Sequence, residues 1–271
     1  MSATDWGRLW RELASRDLMG DAKGEEEMVE RWRRMARRLD AGDAAKPDTL
    51  LDFLLQKLTP EMTVLDIGAG IGRWTLPIAR AVRHVTAIEP LPGMREILRE
   101  RAAGQDVGNL SLVDVPWMEA DVPPHDAAIA AHATYASADL LGFVRKMEAS
   151  ARRLCVLALR VPAHDGIINE LCAKVRGEWH DSPNFIVGYN LLLAAGYYPH
   201  VLMEPQASRH WIDPTLEQAI TRAKRHLRLG DDDDRHDALI RQVFSSRLMA
   251  VEGGFRWPDG MRSALVWWET Q

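Results

Sequence analysis

The stretch TVLDIGAGIGRWT, residues 63–75, decides the fold of this chain. Its apolar run, 64–67, predicts a buried strand, and three glycines at alternate positions follow directly. The next apolar positions have helical spacing: Leu76, Ile78, Ala79 and Val82. A strand that enters a helix through a glycine turn directs backbone N–H groups at a ligand. Glycine also lets that ligand come close, because it has no Cβ. We therefore expect a ligand-binding turn.

The spacing of the glycines distinguishes between ligands. A dinucleotide fingerprint requires Gly-x-Gly-x-x-Gly, whereas the glycines here follow Gly-x-Gly-x-Gly. Asp66 stands two residues before the first glycine, where a carboxylate is unfavourable for a pyrophosphate and favourable for an ammonium group. The second predicted strand, 85–88, ends at Glu89, a position at which an acid can accept hydrogen bonds from both hydroxyls of a ribose.

These features together resemble the class I S-adenosylmethionine-dependent methyltransferases, over roughly residues 50–160. The resemblance implies a Rossmann-like, doubly wound α/β fold and S-adenosyl-L-methionine as cofactor, with S-adenosyl-L-homocysteine as product. Asp66 would hold the methionine portion and Glu89 the ribose. The cofactor-binding residues that the resemblance implies are Asp66, Gly68, Ala69, Gly70, Gly72, Glu89, Pro90, Trp117, Met118 and His132. The alternative is a tight strand-to-helix turn that binds nothing.

The composition is that of a globular protein with a sizeable core. The 271 residues are 46% hydrophobic and 27% charged, and the formal charge of −5 disfavours broad binding to nucleic acid. No stretch approaches the roughly 20 apolar residues of a membrane span, and residues 1–20 are too polar for a signal peptide. We expect a cytoplasmic protein that binds neither DNA nor membrane. Cys155 and Cys172 are expected in the core, with no metal site.

The pattern of elements divides the chain into four parts: an N-terminal helical extension (1–45), the cofactor-binding core (46–205), a helical insertion (206–262) and a final core strand (263–271). The two N-terminal helices either pack on the core or form a lid over the substrate. Tryptophans near the chain ends belong either to the core or to a homodimer surface: Trp6, Trp10, Trp257, Trp267 and Trp268.

A mostly parallel sheet of seven strands is expected, six parallel and the last antiparallel, as the resemblance implies. The predicted strands are 64–67, 85–88, 109–113, 127–131, 154–159, 198–203 and 264–268. Helices are predicted over 167–175, 185–195, 214–227 and 235–249. The acidic run 231–234 is interpreted as a solvated loop at a helix N-terminus rather than a metal site.

The segment after the third strand would contact the adenine. Pro116 stands where the resembled family commonly has an acid that accepts from the adenine amine, so Asp114 or Glu119 would have to substitute for it. Trp117 and Met118 offer apolar surfaces suited to the ring, although Trp117 could equally fill the core.

Three residues are candidates for catalysis: His132, Tyr135 and His164. His132 and Tyr135 follow the fourth strand, and ligands of open α/β sheets bind at the carboxyl ends of strands. His132 could serve as general base for a hydroxyl or amine, or could only contact the cofactor. His164 stands beside Asp165 in the loop after the fifth strand. Residues that would border the acceptor pocket are Asp181, Tyr189 and Asn190.

We expect methyl transfer to a small-molecule acceptor. The Asn/Asp-Pro-Pro-Tyr/Phe signature of amino-directed DNA methylases is absent after the fourth strand, and neither cysteine is placed as the nucleophile of cytosine methylation. Two alternatives stay open. One is a methyltransferase of protein or RNA, which the arginines of 31–38 and 222–228 would support. The other is a non-catalytic module that binds the cofactor or a partner.

Overall fold

A computed structural model describes residues 4–19, 25–41, 48–163, 166–180, 182–205, 211–258 and 262–270. The helices are α1 (Trp6–Met19), α2 (Glu25–Asp40), α3 (Thr49–Leu55), α4 (Thr75–Ala81), α5 (Pro92–Gly104), α6 (Leu140–Ala149), α7 (Ile167–Arg176), α8 (Phe185–Ala194), α9 (Leu216–Leu227) and α10 (Asp237–Arg247). The strands are β1 (Thr63–Ile67), β2 (His84–Ile88), β3 (Leu110–Val113), β4 (His125–Ala131), β5 (Ala151–Val161), β6 (His200–Met203), β7 (Ile212–Asp213), β8 (Met249–Val251), β9 (Gly254–Arg256) and β10 (Arg262–Glu269).

Seven strands form one twisted sheet in the order β3-β2-β1-β4-β5-β10-β6. β1 pairs in parallel with β2 and β4, whereas β10 runs antiparallel to both β5 and β6. This confirms the predicted Rossmann-like sheet with one antiparallel strand. The carboxyl ends of β1, β2, β4 and β5 therefore lie on one edge, where such sheets bind ligands.

Helices cover both faces of the sheet, as the nearly continuous apolar runs of its strands require. One face packs α6, α8 and α1 into a core that includes Trp10, Phe143 and Met147. On the other face, α3 and α4 pack against the strands through Leu54 and Ile78. Cys155 and Cys172 are both buried, which confirms that they belong to the core.

The two N-terminal helices differ in what they contact. Trp10 of α1 is fully buried at 0% exposure, and its indole Nε1 donates to the carbonyl of Ser137 at 2.8 Å. α2 instead packs on α5, and its Ala36 contacts Ile71 of the glycine turn. α1 is thus part of the sheet's own core, and α2 lies beside the turn. Residues 20–24, between these two helices, lie outside the described residues.

The insertion before β10 is more than helical, and here the sequence-based prediction was incomplete. β7, β9 and β8 form a second, antiparallel sheet, which packs with α7, α9 and α10 around a separate core. Strands of two or three residues have no detectable alternation, so no sequence pattern marks them.

Three of the tryptophans whose location was open are buried: Trp10, Trp257 and Trp268. They belong to the core and not to a free surface.

No helix in the described part of the chain combines the length and apolar character that a membrane crossing requires.

Candidate functional site

The glycine turn joins β1 to α4 in a backbone conformation that favours glycine. Gly68, Gly70 and Gly72 have φ angles of 76°, 56° and 80°, a region that L-residues with a Cβ rarely enter. A Cβ on Gly68 would lie 2.4 Å from the Cβ of Ala133, so the turn touches the segment after β4. A Cβ on Gly70 would meet nothing within 4 Å, which leaves open space above the turn.

Glu89, at the tip of β2, holds the middle of this turn. Its Oε2 accepts from the N–H of Gly70 at 2.8 Å, and its Oε1 accepts from the N–H of Leu91 at 2.9 Å. The carboxylate is buried, and that burial raises its pKa, although the two N–H donors and the charge of Arg95 oppose the rise. Glu89, the residue predicted to bind the ribose, therefore lies directly against the turn.

Asp66 lies beneath the turn, at the end of β1. It is only 2% exposed, and its Oδ2 accepts from the hydroxyl of Thr75 at 2.6 Å. Burial raises its pKa to about 6, the Thr75 hydrogen bond opposes this, and the charge of Glu89 adds to it. Its carboxylate is therefore held inside the base of the site rather than in solvent.

The donors and acceptors of this turn suit a ligand that carries a cation and hydroxyl groups. Two carboxylates, Asp66 and Glu89, lie against the turn, and the amide of Gly70 already donates to one of them. The amides of Gly68 and Ala69 donate to the carbonyl of Ile88. A pyrophosphate would meet negative charge and few available N–H groups, whereas an ammonium group or a diol would find acceptors. The remaining predicted ligand of this region, Pro90, is exposed next to Glu89.

The predicted adenine side is built on the loop after β3. The indole of Trp117 is buried and donates to the carbonyl of Phe143 at 3.3 Å. Met118 is 52% exposed, so it is the member of the pair that faces solvent. Lys146 fixes the loop from α6, because its Nζ donates to the carbonyls of Trp117, Met118 and Ala120 at 2.7, 2.9 and 2.7 Å. Sequence reasoning missed Lys146.

His132 and Tyr135 come together just past β4. The Nδ1 of His132 lies 2.8 Å from the hydroxyl of Tyr135, and its Nε2 lies 3.3 Å from the hydroxyl of Ser263 on β10. His132 is exposed and has a φ of 57°, an unusual value for a residue other than glycine. Strained backbone of this kind is often found at functional positions.

Two residues at this edge were not predicted, Arg160 and Ser263. The N–H of Arg160, near the end of β5, donates to the Tyr135 hydroxyl at 2.6 Å. The guanidinium carbon of Arg160 lies 4.5 Å from the centroid of the Tyr135 ring. The position of Arg160 at the carboxyl end of a parallel strand was a usable signal, whereas Ser263 reaches the site only because β10 is antiparallel.

Other predicted site residues lie elsewhere. Tyr189 donates to the carbonyl of Pro199 at 3.3 Å, and Asn190 donates to Ile186 within the same helix at 2.7 Å. His164, Asp165 and Asp181 lie outside the described residues. In the described ranges, no group of three or more His, Cys, Asp and Glu side chains is placed to hold a metal. The acidic run forms local contacts, such as Asp233 with Arg235 at 2.6 Å.

Comparison with protein families gives a match over the core of this site. Residues 64–153 match the family model described as a methyltransferase domain. This range contains the glycine turn, Glu89, the loop after β3, and His132 with Tyr135.

Individual relatives match over short segments. Probable ribosomal RNA small subunit methyltransferase A of Methanosphaera stadtmanae is 31% identical over 84 residues, which is 30% of this chain and 31% of that protein. This chain thus spans about a third of the length of that relative.

Solved structures share the fold over most of the chain. The YcgJ protein of Bacillus subtilis has a TM-score of 0.55 at 15% identity, covering 83% of this chain and 99% of that protein. Magnesium protoporphyrin IX methyltransferase (ChlM) of Synechocystis PCC 6803, solved with bound S-adenosylhomocysteine, has a TM-score of 0.50 at 12% identity, covering 92% and 99%. Residues 64–153 therefore match a methyltransferase domain, and the sheet built around them shares the fold of these solved structures.

Proposed function

We propose that this protein transfers a methyl group from S-adenosyl-L-methionine to a small-molecule acceptor. The observation that carries the proposal is the open space above Gly70 with two buried carboxylates beside it, Asp66 and Glu89. Asp66 would neutralise the ammonium group of the methionine portion, and Glu89 would accept from the ribose hydroxyls. Gly68, Ala69 and Gly72 shape the turn, and Pro90 and Met118 would border the ligand.

The chemistry needs little from the protein beyond alignment. When bound, S-adenosylmethionine supplies a methyl carbon whose bond to sulfur breaks, both electrons staying on sulfur, as an acceptor lone pair bonds to that carbon. The glycine turn and the segment after β4 meet at Gly68 and Ala133, which would set the approach of the two reactants. Fixed geometry of this kind accounts for much of the acceleration in bimolecular reactions.

His132 would take the proton when the acceptor atom carries one. Its ring is exposed at the site edge and is oriented through Nδ1 by Tyr135 and through Nε2 by Ser263. Tyr135 is itself fixed by the backbone of Arg160. In the tautomer whose Nδ1–H donates to Tyr135, the lone pair of Nε2 would take the proton in place of its contact with Ser263, so that His132 acts as the general base and Tyr135 as its positioning residue.

A small acceptor fits the charge distribution better than a macromolecule does. Two arginines of α2 are paired with carboxylates: Arg33 with Glu96 and Glu100 at 3.5 and 2.8 Å, and Arg37 with Glu30 at 3.0 Å. Such pairing leaves little net positive charge for a phosphate backbone.

RNA is the second candidate acceptor, and one specific observation favours it. A cavity of about 850 Å³ between α2, α4 and α5 is lined by five arginines, Arg33, Arg37, Arg73, Arg80 and Arg101, together with the carboxylates of Asp40 and Glu100. The match to a ribosomal RNA methyltransferase adds support. Binding to a structured RNA that weakens steeply with salt would favour this alternative over the small molecule.

Calorimetric titration tests the proposal. We expect micromolar binding of S-adenosylmethionine and S-adenosylhomocysteine, and no binding of NAD, whose pyrophosphate the two carboxylates would repel. A screen of candidate acceptors, in which formation of S-adenosylhomocysteine is measured, then identifies the substrate. A folded protein, free of copurified ligand, that binds neither compound would contradict the proposal and leave the interaction module as the explanation.

A further inference from the structure

A small cavity lies between the end of β5 and the insertion, next to the His132–Tyr135 pair. Its volume is about 100 Å³. The core contributes Arg160 and Pro162, α7 contributes Ile167 and Ile168, and the insertion contributes three aromatic rings, Trp211, His226 and Trp257. The cavity is therefore apolar and aromatic on one side and cationic at its core end.

The three rings form a connected group. Trp211 meets Trp257 edge-on, with centroids 5.4 Å apart and an interplanar angle of 85°. The centroid of His226 lies 5.1 Å from that of Trp211. Rings at these separations attract one another and offer both faces and edges to a flat ligand.

Asp213 fixes this aromatic group through hydrogen bonds. Its Oδ2 accepts from the Nε1 of Trp257 at 2.7 Å, and its two oxygens accept from Arg222 at 2.7 to 3.1 Å. The guanidinium of Arg222 lies 5.0 Å from the centroid of Trp211. Because both tryptophans contact the same Asp213–Arg222 pair, the aromatic wall is already ordered before a ligand binds.

Arg160 supplies the charge at the other end. Its Nε is buried and has no hydrogen-bond acceptor in the described part of the chain, and no carboxylate pairs with it there. Such a donor is costly to leave unsatisfied, so an incoming acceptor group gains from it. Its guanidinium stacks on Tyr135, and this contact joins the cavity to the predicted catalytic pair.

We propose that this cavity is the acceptor subsite and takes the ring of a planar aromatic anion, such as an arene carboxylate or phenolate. The negative group would pair with Arg160, and the ring would lie against Trp211 and Trp257. The cavity of about 100 Å³ is smaller than the roughly 150 Å³ that holds a benzene ring, so the aromatic ring would enter it only in part. The role as acceptor subsite rests on the proposed methyl transfer, whereas the ligand class rests on the cavity alone.

Binding of simple probes to the full chain tests this assignment. We would titrate benzoate, benzylamine and cyclohexanecarboxylate by calorimetry or saturation-transfer NMR, with and without saturating S-adenosylhomocysteine. Benzoate is expected to bind with a dissociation constant of about 1 mM or lower, and the other two at least about tenfold more weakly. Arg160→Met should weaken benzoate binding about tenfold or more. Trp211→Leu should weaken it independently of the charge.

Arg153→Met is the matched control, because Arg153 is exposed at the opposite end of the same strand. It should leave benzoate binding unchanged, and thermal melts establish that each variant is folded. Equal binding of all three probes, or unchanged benzoate binding in folded Arg160→Met and Trp211→Leu, would overturn the ligand class.

The S-adenosylhomocysteine arm separates the two proposals. If that compound binds and benzoate does not, the cavity assignment is wrong and the proposed function stands. If benzoate binds in an Arg160-dependent way and S-adenosylhomocysteine does not, the role as acceptor subsite is overturned. If neither binds to folded protein, both proposals are overturned.

Discussion

Glu89 and Gly70 are joined by a hydrogen bond of 2.8 Å, in which the side chain at the tip of β2 accepts from the central amide of the glycine turn. One carboxylate thus fixes the turn and is also the expected acceptor for the ribose hydroxyls. Each carboxylate oxygen keeps a second lone pair, so a diol can be bound while the Gly70 N–H still donates to Oε2, and the same side chain serves both the turn and its ligand.

Glu89→Gln should weaken binding of S-adenosylhomocysteine by about tenfold or more, because a neutral amide retains only one acceptor oxygen and loses the charge-assisted bonds. Calorimetric titration measures the change. Glu96→Gln is the control, since Glu96 is exposed on α5 and pairs across the surface with Arg33. Equal affinities in wild type and Glu89→Gln would remove Glu89 from the ligand site.

Asp66 should make the stability of the protein depend on pH in a defined window. Because burial raises its pKa to about 6 from the usual 3.8, the folded protein retains a proton that the unfolded chain has released. The stabilisation is complete below about pH 4 and is lost as the pH rises through about 6. Asp66→Asn removes this dependence and should gain on the order of 2–3 kcal/mol over wild type at pH 7.5.

Urea unfolding at pH 4.5 and 7.5 measures this difference. The increase in the free energy of unfolding caused by Asp66→Asn should be small at pH 4.5 and should reach its whole value at pH 7.5. An identical offset at both values would mean that Asp66 titrates normally. The affinity for S-adenosylmethionine should depend on pH in the opposite sense to the stability. It should decrease as the pH is lowered through about 6, because only the ionised carboxylate attracts the ammonium group.

Substitutions of His132 should affect the stability of the protein and its activity differently. A left-handed conformation costs an ordinary L-residue roughly 1–2 kcal/mol. Relief of that strain in His132→Gly should offset much of the lost contacts, leaving the free energy of unfolding within about 1 kcal/mol of wild type. His132→Val should destabilise by about 1–2 kcal/mol more than His132→Gly, because a β-branched residue tolerates positive φ poorly.

Both His132 variants should lose methyl transfer to an acceptor that carries a proton, by about 10²-fold or more in kcat, while retaining affinity for S-adenosylhomocysteine. Thermal denaturation, calorimetry and turnover of the acceptor found by screening measure the three quantities. Full turnover in His132→Gly would limit His132 to a structural role.

Lys146 should hold the loop after β3 through its three carbonyl acceptors. Lys146→Met keeps most of the aliphatic stem and removes the ammonium group, so we expect a loss of about 1.5–3 kcal/mol in the free energy of unfolding. Binding of S-adenosylhomocysteine should weaken about threefold or more as the loop loosens. Lys174→Met, which removes a partly exposed ion pair with Glu170 at 3.7 Å, should change neither value appreciably.

The parts of the fold that were predictable are those set by local sequence. The glycine turn, the apolar runs that became β1, β2 and β4, and the helices α7 and α8 depend on neighbours within a few residues. Their periodicity is sufficient to specify them. The predicted helix 235–249 ended too late, because Met249 belongs to β8, a strand whose pairing with β9 is set by the tight turn at Gly253 and Gly254.

The site was predictable only in part, for a similar reason. Asp66, Glu89 and His132 each end a strand, so topology alone places them on one edge. Ser263 is 131 residues from His132 in the chain, and their contact depends on the register of β10 against β5. The aromatic wall at Trp211 depends on the packing of the insertion, which no local pattern encodes.

The burial of Trp10 has a consequence for how this protein can be divided. The segment 64–153 that matches the family model lacks α1, and removing α1 would empty a tryptophan-sized volume from the core on one face of the sheet. Truncating a buried tryptophan costs about 3–5 kcal/mol, a large share of the stability of an ordinary domain. The indole also supports Ser137, in the same loop as His132 and Tyr135. The stability of the matched segment and the order of its predicted catalytic loop therefore both draw on a helix that precedes it in the chain.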